Sequence, residues 1–321
     1  MHYPRTIKRL WGHDKAVSQF THAFELGKLF HGWLLDGPWG IGKTSFAYAM
    51  AHKLLDSGTK GQGKLIELGS HPDLLEIGRT QDEKKDRLRR EIVVEDIRKI
   101  NRFLHQTPAL GGWRIVIIDE AETLNRNAAN SLLKILEEPP EKSIIFLVCH
   151  GRGRLLSTLR SRCIELSFQS LNDEDMLEIL AQQAPDTSLM QRKAVLAIAG
   201  GSPGMALILL EENGLFLYHQ AQNLASSHMT RPEASKLTDI LLKDEEKFFL
   251  YFSFLARVLH QKTQEMASKT PLASLSPLGR RKIQENLSLW QKIMETANTV
   301  ERFNLDKRQA LLNLFDLMRI I

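Results

Sequence analysis

Gly37-Pro38-Trp39-Gly40-Ile41-Gly42-Lys43-Thr44 satisfies every fixed position of the phosphate-loop pattern G-x-x-x-x-G-K-[ST]. Upstream, His31-Gly32-Trp33-Leu34-Leu35-Asp36 is short and apolar enough for a buried strand. Downstream, Ser45 to Leu55 reads as a helix, with Phe46, Ala49, Met50, Lys53 and Leu54 recurring near a 3.6-residue period. Strand, glycine loop and helix are the context in which the pattern has a mechanism. The glycines let backbone N–H groups close around phosphate oxygens, and the helix N-terminus adds partial positive charge. In this reading Gly37, Gly40, Gly42, Lys43, Thr44 and Ser45 bind the phosphates of ATP. Lys43 reaches the terminal ones and the Thr44 hydroxyl sits on Mg²⁺.

A second anchor lies further along, at Trp113-Arg114-Ile115-Val116-Ile117-Ile118-Asp119-Glu120. Ile115 to Ile118 is β-branched without alternation, the pattern of a strand buried on both faces of a parallel sheet. It ends in two acids. Downstream of a phosphate loop, an Asp in that position holds Mg²⁺ and a following Glu orients the attacking water. Asp119 and Glu120 are assigned these roles.

The rest of the chain sorts around the two anchors. Residues 5–30 form a helical lead-in, with a turn at Trp11-Gly12-His13 and helical spacing through Val17, Phe20, Ala23 and Phe24. Residues 56–64 are rich in Gly and Lys and read as an exposed loop. His71 to Ile77 reads as a strand. Arg79 to Arg90 is a dense mixed-charge run, read as a solvated loop. Glu95 to Gln106 is an amphipathic helix through Ile97, Ile100, Phe103 and Leu104. Ala121 to Glu138 is a helix stopped by Pro139-Pro140, and Ile144 to Val148 and Ile164 to Phe168 are further strands. Arg152, Arg154, Arg160 and Arg162 crowd the turn between those two strands. After Leu171 strand signals vanish. Helices are expected over Asp173 to Gln183, Met190 to Ala199 and Met205 to Glu212. Helical pattern then continues to the end, with breaks near Asn213-Gly214, Arg231-Pro232 and Pro271 to Gly279 and a final helix over Lys307 to Ile321. The expected architecture is an α/β nucleotide-binding domain with a parallel sheet over residues 1–168, a small helical lid over 169–212 and an all-helical domain over 213–321.

Length and composition fit that plan. The chain has 321 residues, 43% hydrophobic and 25% charged, ordinary for a globular protein. No apolar run approaches the roughly 18 residues of a membrane helix, and Met1-His2-Tyr3-Pro4-Arg5 has no signal-peptide core. The two cysteines, Cys149 and Cys163, exclude a disulfide framework and a four-cysteine zinc site within one chain. A cytoplasmic location is expected. The net charge of +5 is compatible with nucleic acid nearby, and equally with simple solvation.

Three stretches together carry a resemblance: Asp119-Glu120-Ala121-Glu122, Asn130-Ser131-Leu132-Leu133-Lys134-Ile135-Leu136-Glu137-Glu138-Pro139-Pro140, and Ser161-Arg162-Cys163. The chain resembles the AAA+ clamp-loader family across about residues 8–210. The resemblance implies an AAA+ P-loop NTPase domain, a lid and a C-terminal collar. It further implies five related subunits in an open ring, ATP at their interfaces, and a sliding clamp placed on primed DNA. Arg162 would then be an arginine finger, given to the ATP of a neighbouring subunit. A guanidinium spreads its charge over phosphoryl oxygens as they gain negative charge.

Departures from the family pattern matter as much. Catalytic relatives carry a threonine-rich turn where this chain has Cys149-His150, and an arginine where Gly201-Ser202-Pro203-Gly204-Met205 places Met205. Many carry a four-cysteine zinc module after the phosphate-loop helix; residues 56–76 contain no cysteine, so no zinc is expected, and His71 is read as a strand-edge residue. The leading reading is a structural and regulatory clamp-loader subunit with weak ATP binding. A catalytically active AAA+ ATPase subunit and a nucleotide- or DNA-binding module outside replication are the alternatives. Lys43→Ala is expected to weaken ATP binding by the isolated chain, measured with a fluorescent ATP analogue; unchanged affinity would mean that the loop holds no nucleotide.

Overall fold

In a computed structural model, which describes residues 4–6, 9–56, 61–82, 87–110, 112–151, 155–211, 213–226, 228–268, 277–303 and 305–318, the chain forms two compact units, Met1–Ile208 and Leu209–Ile321. The first unit begins α1 (Asp14–Glu25), β1 (Gly32–Asp36), α2 (Lys43–Leu55), α3 (Gly63–Glu67) and β2 (Leu74–Ile77). It continues with β3 (Gln81–Asp82), β4 (Arg87–Leu88), α4 (Val94–Leu104), β5 (Arg114–Ile118), α5 (Arg126–Glu137), β6 (Ser143–Cys149), α6 (Ser157–Arg160) and β7 (Ile164–Ser167). Helices α7 (Asp173–Gln183), α8 (Leu189–Ala199) and α9 (Pro203–Leu210) follow.

The main sheet has five parallel strands in the order β2-β5-β6-β1-β7. Its three central strands are apolar and buried through their middles because helices cover both faces, whereas the edge strands β2 and β7 carry Glu76 and Glu165. Successive side chains alternate between those faces. Trp33, Leu35, Ile115, Ile117, Ile144, Phe146 and Val148 join Phe20 of α1 and Phe46, Met50 and Leu54 of α2 in one core. Leu34, Val116, Ile118, Ile145 and Leu147 join Ile97 and Ile100 of α4 and Leu132 and Leu136 of α5 in the other. The parallel arrangement brings the C-terminal ends of β1, β5 and β6 together. The phosphate loop and Asp119 therefore emerge at one edge of the sheet.

The second unit is helical: α10 (Gly214–Ala225), α11 (Arg231–Leu242), α12 (Glu245–Ser268), α13 (Pro277–Phe303) and α14 (Lys307–Leu317). Its core includes Leu217, Tyr218, Leu237, Phe248, Tyr251, Phe252, Leu255, Leu311 and Phe315. No strand occurs after Ser167 among the described residues.

Several local expectations change. Ala121 to Glu138 is a 3-10 turn (Ala121–Thr123) and then α5, not one helix. Leu124 is drawn into a bridge with Ile92, and Asn125 caps α5 by accepting the Ala128 N–H at 2.9 Å. Lys53 is exposed: the buried side of α2 runs through Phe46, Ala47, Met50, Ala51, Leu54 and Leu55. In the Gly- and Lys-rich stretch, residues 57–60 lie outside the described residues, but Gln62 is buried and α3 follows it. His71 is buried rather than at a strand edge. Its Nδ1 accepts the Asp73 N–H at 3.1 Å, so its Nε2 donates to Gln62 Oε1 at 3.1 Å. The mixed-charge run contains a short antiparallel pair, β3 with β4; residues 83–86, like Arg152, Arg154 and 319–321, lie outside the described residues.

Phe20 sits at the centre of the first core, fully buried, with ring centroids 4.9 Å from Trp33, 5.7 Å from Phe146 and 6.2 Å from Phe46. Phe20→Ala is expected to cost about 3–5 kcal/mol, read as a lowered urea midpoint.

Candidate functional site

The phosphate loop joins β1 to α2 through three glycines at positive φ, Gly37 (+154°), Gly40 (+72°) and Gly42 (+104°). Sterics explain the first two. A Cβ on Gly37 would lie 2.4 Å from the Phe168 carbonyl oxygen, and one on Gly40 2.7 Å from Ser202 Oγ. Gly42 precedes the first turn of α2 in the left-handed conformation and frees the N-terminal N–H groups of that helix. Ser45, in that first turn, is buried.

The turn before α9 is fastened onto the loop. Ser202 Oγ donates to the Trp39 carbonyl at 3.0 Å, and the Gly204 N–H donates to the Gly40 carbonyl at 2.8 Å. Ser202 also accepts the Met205 N–H at 3.2 Å. Residue 205 is thus set against the phosphate loop, where methionine brings no charge.

Lys43 is buried, and its ammonium donates to the Gly37 and Pro38 carbonyls at 2.7 and 2.6 Å. Burial lowers its pKa to about 8, against the opposing pull of Asp119, Glu122, Asp36 and Cys149. Thr44 Oγ1 donates to Asp119 Oδ2 at 3.4 Å, so the hydroxyl and carboxylate assigned to the metal are neighbours. Burial raises the Asp119 pKa, offset in part by the Glu120 N–H that its Oδ1 accepts at 3.0 Å.

Glu120 is committed elsewhere. It stands at φ +51°, and its carboxylate accepts Arg79 Nε–H at 2.5 Å and Arg79 Nη2–H at 3.2 Å. A carboxylate held by both arms of a guanidinium is a poor acceptor for a water proton. Arg79 opens a run read as solvent-facing, so nothing in the sequence marked it.

Glu122 and His150 were also missed as site residues. Glu122 Oε1 accepts the His150 N–H at 3.0 Å. Burial, and then the charge of Lys43, push the His150 pKa down to about 4, so its ring is neutral at pH 7. His150 Nδ1 and Glu122 Oε2 are buried polar atoms without a hydrogen-bond partner among the described residues. Cys149, at the end of β6, has its thiol pushed up to about 11 by burial and is no nucleophile. On the far side of the loop, a His13 ring nitrogen lies 2.9 Å from the Ile41 carbonyl, and its ring meets Phe168 edge-on.

These residues fit a magnesium nucleotide. Glycines leave room for backbone donors, a buried ammonium is bound by loop carbonyls, and two buried polar atoms near it lack partners among the described residues. Gly37, Gly40, Gly42, Lys43, Thr44, Ser45 and Asp119 are brought together.

Arg162 is not. It follows α6, and its backbone oxygen lies 3.0 Å from where a Cβ on Gly32 would stand, at the start of β1. The phosphate loop leaves the other end of that strand, about 16 Å away at about 3.3 Å per residue. Arg162 Nη2 pairs with Glu137 Oε1 at 2.6 Å, and Nη1 donates to the Thr158 carbonyl at 3.1 Å. Both partners of the ion pair are more than a third exposed, so the pair is worth only ~0.2–1 kcal/mol.

Comparison with known proteins places this geometry. Residues 12–172, half of the chain, match the family model described as DNA polymerase III, delta subunit. DNA polymerase III subunit delta' of Pseudomonas aeruginosa is 38% identical over 202 residues, covering 60% of this chain and 57% of that protein. The delta' subunit of Escherichia coli is 30% identical over 197 residues, covering 59% and 57%. DNA polymerase III subunit gamma of Buchnera aphidicola subsp. Schizaphis graminum is 30% identical over 262 residues, covering 76% and 69%. The matched part spans a little over half the length of both delta' relatives.

Lys43 would hold a phosphate at this loop only when protonated, and burial lowers its pKa to about 8. Nucleotide affinity is therefore complete below that pH and lost as pH rises through it. A fall of about tenfold between pH 7 and pH 9 is expected in calorimetric titrations with Mg·ADP.

Proposed function

This chain belongs to the family described as DNA polymerase III, delta subunit, and on that premise we propose that it is a delta-prime-type clamp-loader subunit. In this reading it joins gamma/tau and delta subunits in a hetero-pentamer that places the sliding clamp on primed DNA. It binds Mg·ATP weakly, hydrolyses it negligibly, and completes a neighbour's site with Arg162. The three parts of the chain have separate tasks: residues 1–168 bind nucleotide, 169–212 form the lid, and 213–321 form the collar. No helix of the described residues is long and apolar enough to cross a membrane; the reading places the protein in the cytoplasm.

One observation carries the proposal. Arg162 and the phosphate loop sit at opposite ends of β1, which supports a reach of the arginine to another molecule's phosphates rather than to its own loop. Bound Mg²⁺ and ATP would supply the electrophilic phosphoryl group. Lys43 and the loop backbone would hold its phosphates, with Thr44 and Asp119 on the metal. Weak turnover follows from three features of the chain's own site: Glu120 is engaged by Arg79, Met205 brings no cation, and no second arginine is assigned to this loop. The alternative, a catalytic gamma/tau-type subunit, draws on the intact Lys43, Thr44, Asp119 and Glu120 and on the similarity to gamma.

Arg162→Ala is expected to leave folding and ATP binding of the isolated chain unchanged. In the reconstituted loader, with clamp and primed DNA, it should lower steady-state ATPase, by up to the ~10³–10⁵ of an arginine finger if one site limits turnover. Arg162→Lys should rescue poorly, because an ammonium lacks the planar fork. Equal rates for wild type and mutant would remove the trans role. Fast turnover by the isolated chain would favour the catalytic alternative.

A further inference from the structure

We propose that Glu137 is a positioning residue for Arg162: its carboxylate retains the guanidinium on the end of α5 and sets how readily it crosses to a neighbour's phosphates. The proposal rests on the trans role of Arg162 given above.

Glu137 is the last residue of α5, where the unpaired carbonyls of the helix carry partial negative charge, and Glu138 follows it. A carboxylate there is repelled by its own helix and gains from a cation. Arg162 supplies one at 2.6 Å, from a different element. The guanidinium is held on its other arm by groups of its own turn, the Thr158 carbonyl at 3.1 Å and Ser161 Oγ at 3.4 Å. Ion pair and hydrogen bonds together fix its direction.

The pairing is selective. Arg160, two positions earlier, lies 3.8 Å from Glu165 of β7, so the two arginines of this turn are sorted onto different carboxylates. The Glu137 pair is also weak enough to be exchanged. With both partners partly in water, it biases the arginine by about 1.5- to 5-fold. A polyphosphate carries several charges and can take a guanidinium on two nitrogens at once, so it outcompetes a single exposed carboxylate. Glu137 thus acts as a weak resting partner: strong enough to order the arginine, too weak to keep it.

The test is a double-mutant cycle in the full loader reconstituted with its gamma- and delta-type subunits, clamp and primed DNA. Wild type, Glu137→Gln, Arg162→Ala and the double mutant are compared by kcat/KM for ATP. Glu137→Gln keeps the shape and removes the charge that competes with the neighbour's phosphates. It is expected to raise kcat/KM by about 1.5- to 5-fold in the wild-type background and to change nothing in the Arg162→Ala background. Glu137→Asp, which keeps the charge, should stay near wild type. Melting temperatures of the four isolated chains control for folding. Equal effects of Glu137→Gln in both backgrounds, a fall in rate, or no effect where Arg162→Ala is slow would overturn the proposal and leave the trans role standing. If Arg162→Ala is itself without effect, the trans role fails and this proposal falls with it.

Discussion

Backbone crowding around the phosphate loop is the constraint on which the rest depends. Gly37 passes so close to the end of β7 that a methyl group would strike the Phe168 carbonyl, and Gly40 is pressed between Ser202 and Gly204. The loop is therefore wedged between the sheet and the turn before α9. Neither neighbour can move away without breaking something: Phe168 N–H donates to the Asp36 carbonyl at 2.7 Å, and Gly204 N–H to Gly40 at 2.8 Å. The chain preorganises a ring of donors here, at the cost of admitting glycine alone.

Charge at this edge is arranged with similar economy. One buried ammonium, Lys43, feels four acidic groups: Asp119, Glu122, Asp36 and the Cys149 thiol. Asp119 is pushed toward its neutral form by the same burial. Such a site holds its ions poorly while alone and gains from a ligand that brings both negative phosphates and a divalent cation. Glu120 escapes the crowding by pairing outward with Arg79, which removes one charge from the pocket and one base from the chemistry.

Much of this was legible in the sequence because the relevant signals are local. The glycine loop, the unbroken β-branched strand before Asp119 and the loss of strands after Phe168 each sit within a few residues. Residues that depend on distant partners were not legible. Arg79 looks like one charge in a solvated run until β2 carries it beside β5 and Glu120. His71 looks like a strand edge until Gln62, across α3, buries it. The break between Ala121–Thr123 and α5 is likewise imposed from outside, by the bridge from Ile92, against a helical pattern that would otherwise run through. Arg162 was identified from its motif, but its position at the far edge of the sheet is a product of topology, since β7 runs parallel to β1 and begins where β1 begins.

That parallel pairing has a consequence for symmetry. If Arg162 serves a neighbour as proposed, the chain carries its acceptor at one edge of the sheet and its donor at the other and presents two unlike surfaces. Two copies facing each other across a two-fold axis would put like against like, so they cannot satisfy both surfaces in one isologous contact. The contact such a chain supports is heterologous, head to tail, and it either closes into a ring or winds into a helix. In an arc that stops short of closure, the two ends are chemically different: one exposes a site without its arginine, the other an arginine without its site. On the proposed trans role, direction along such an assembly is already written into the strand order of a single subunit.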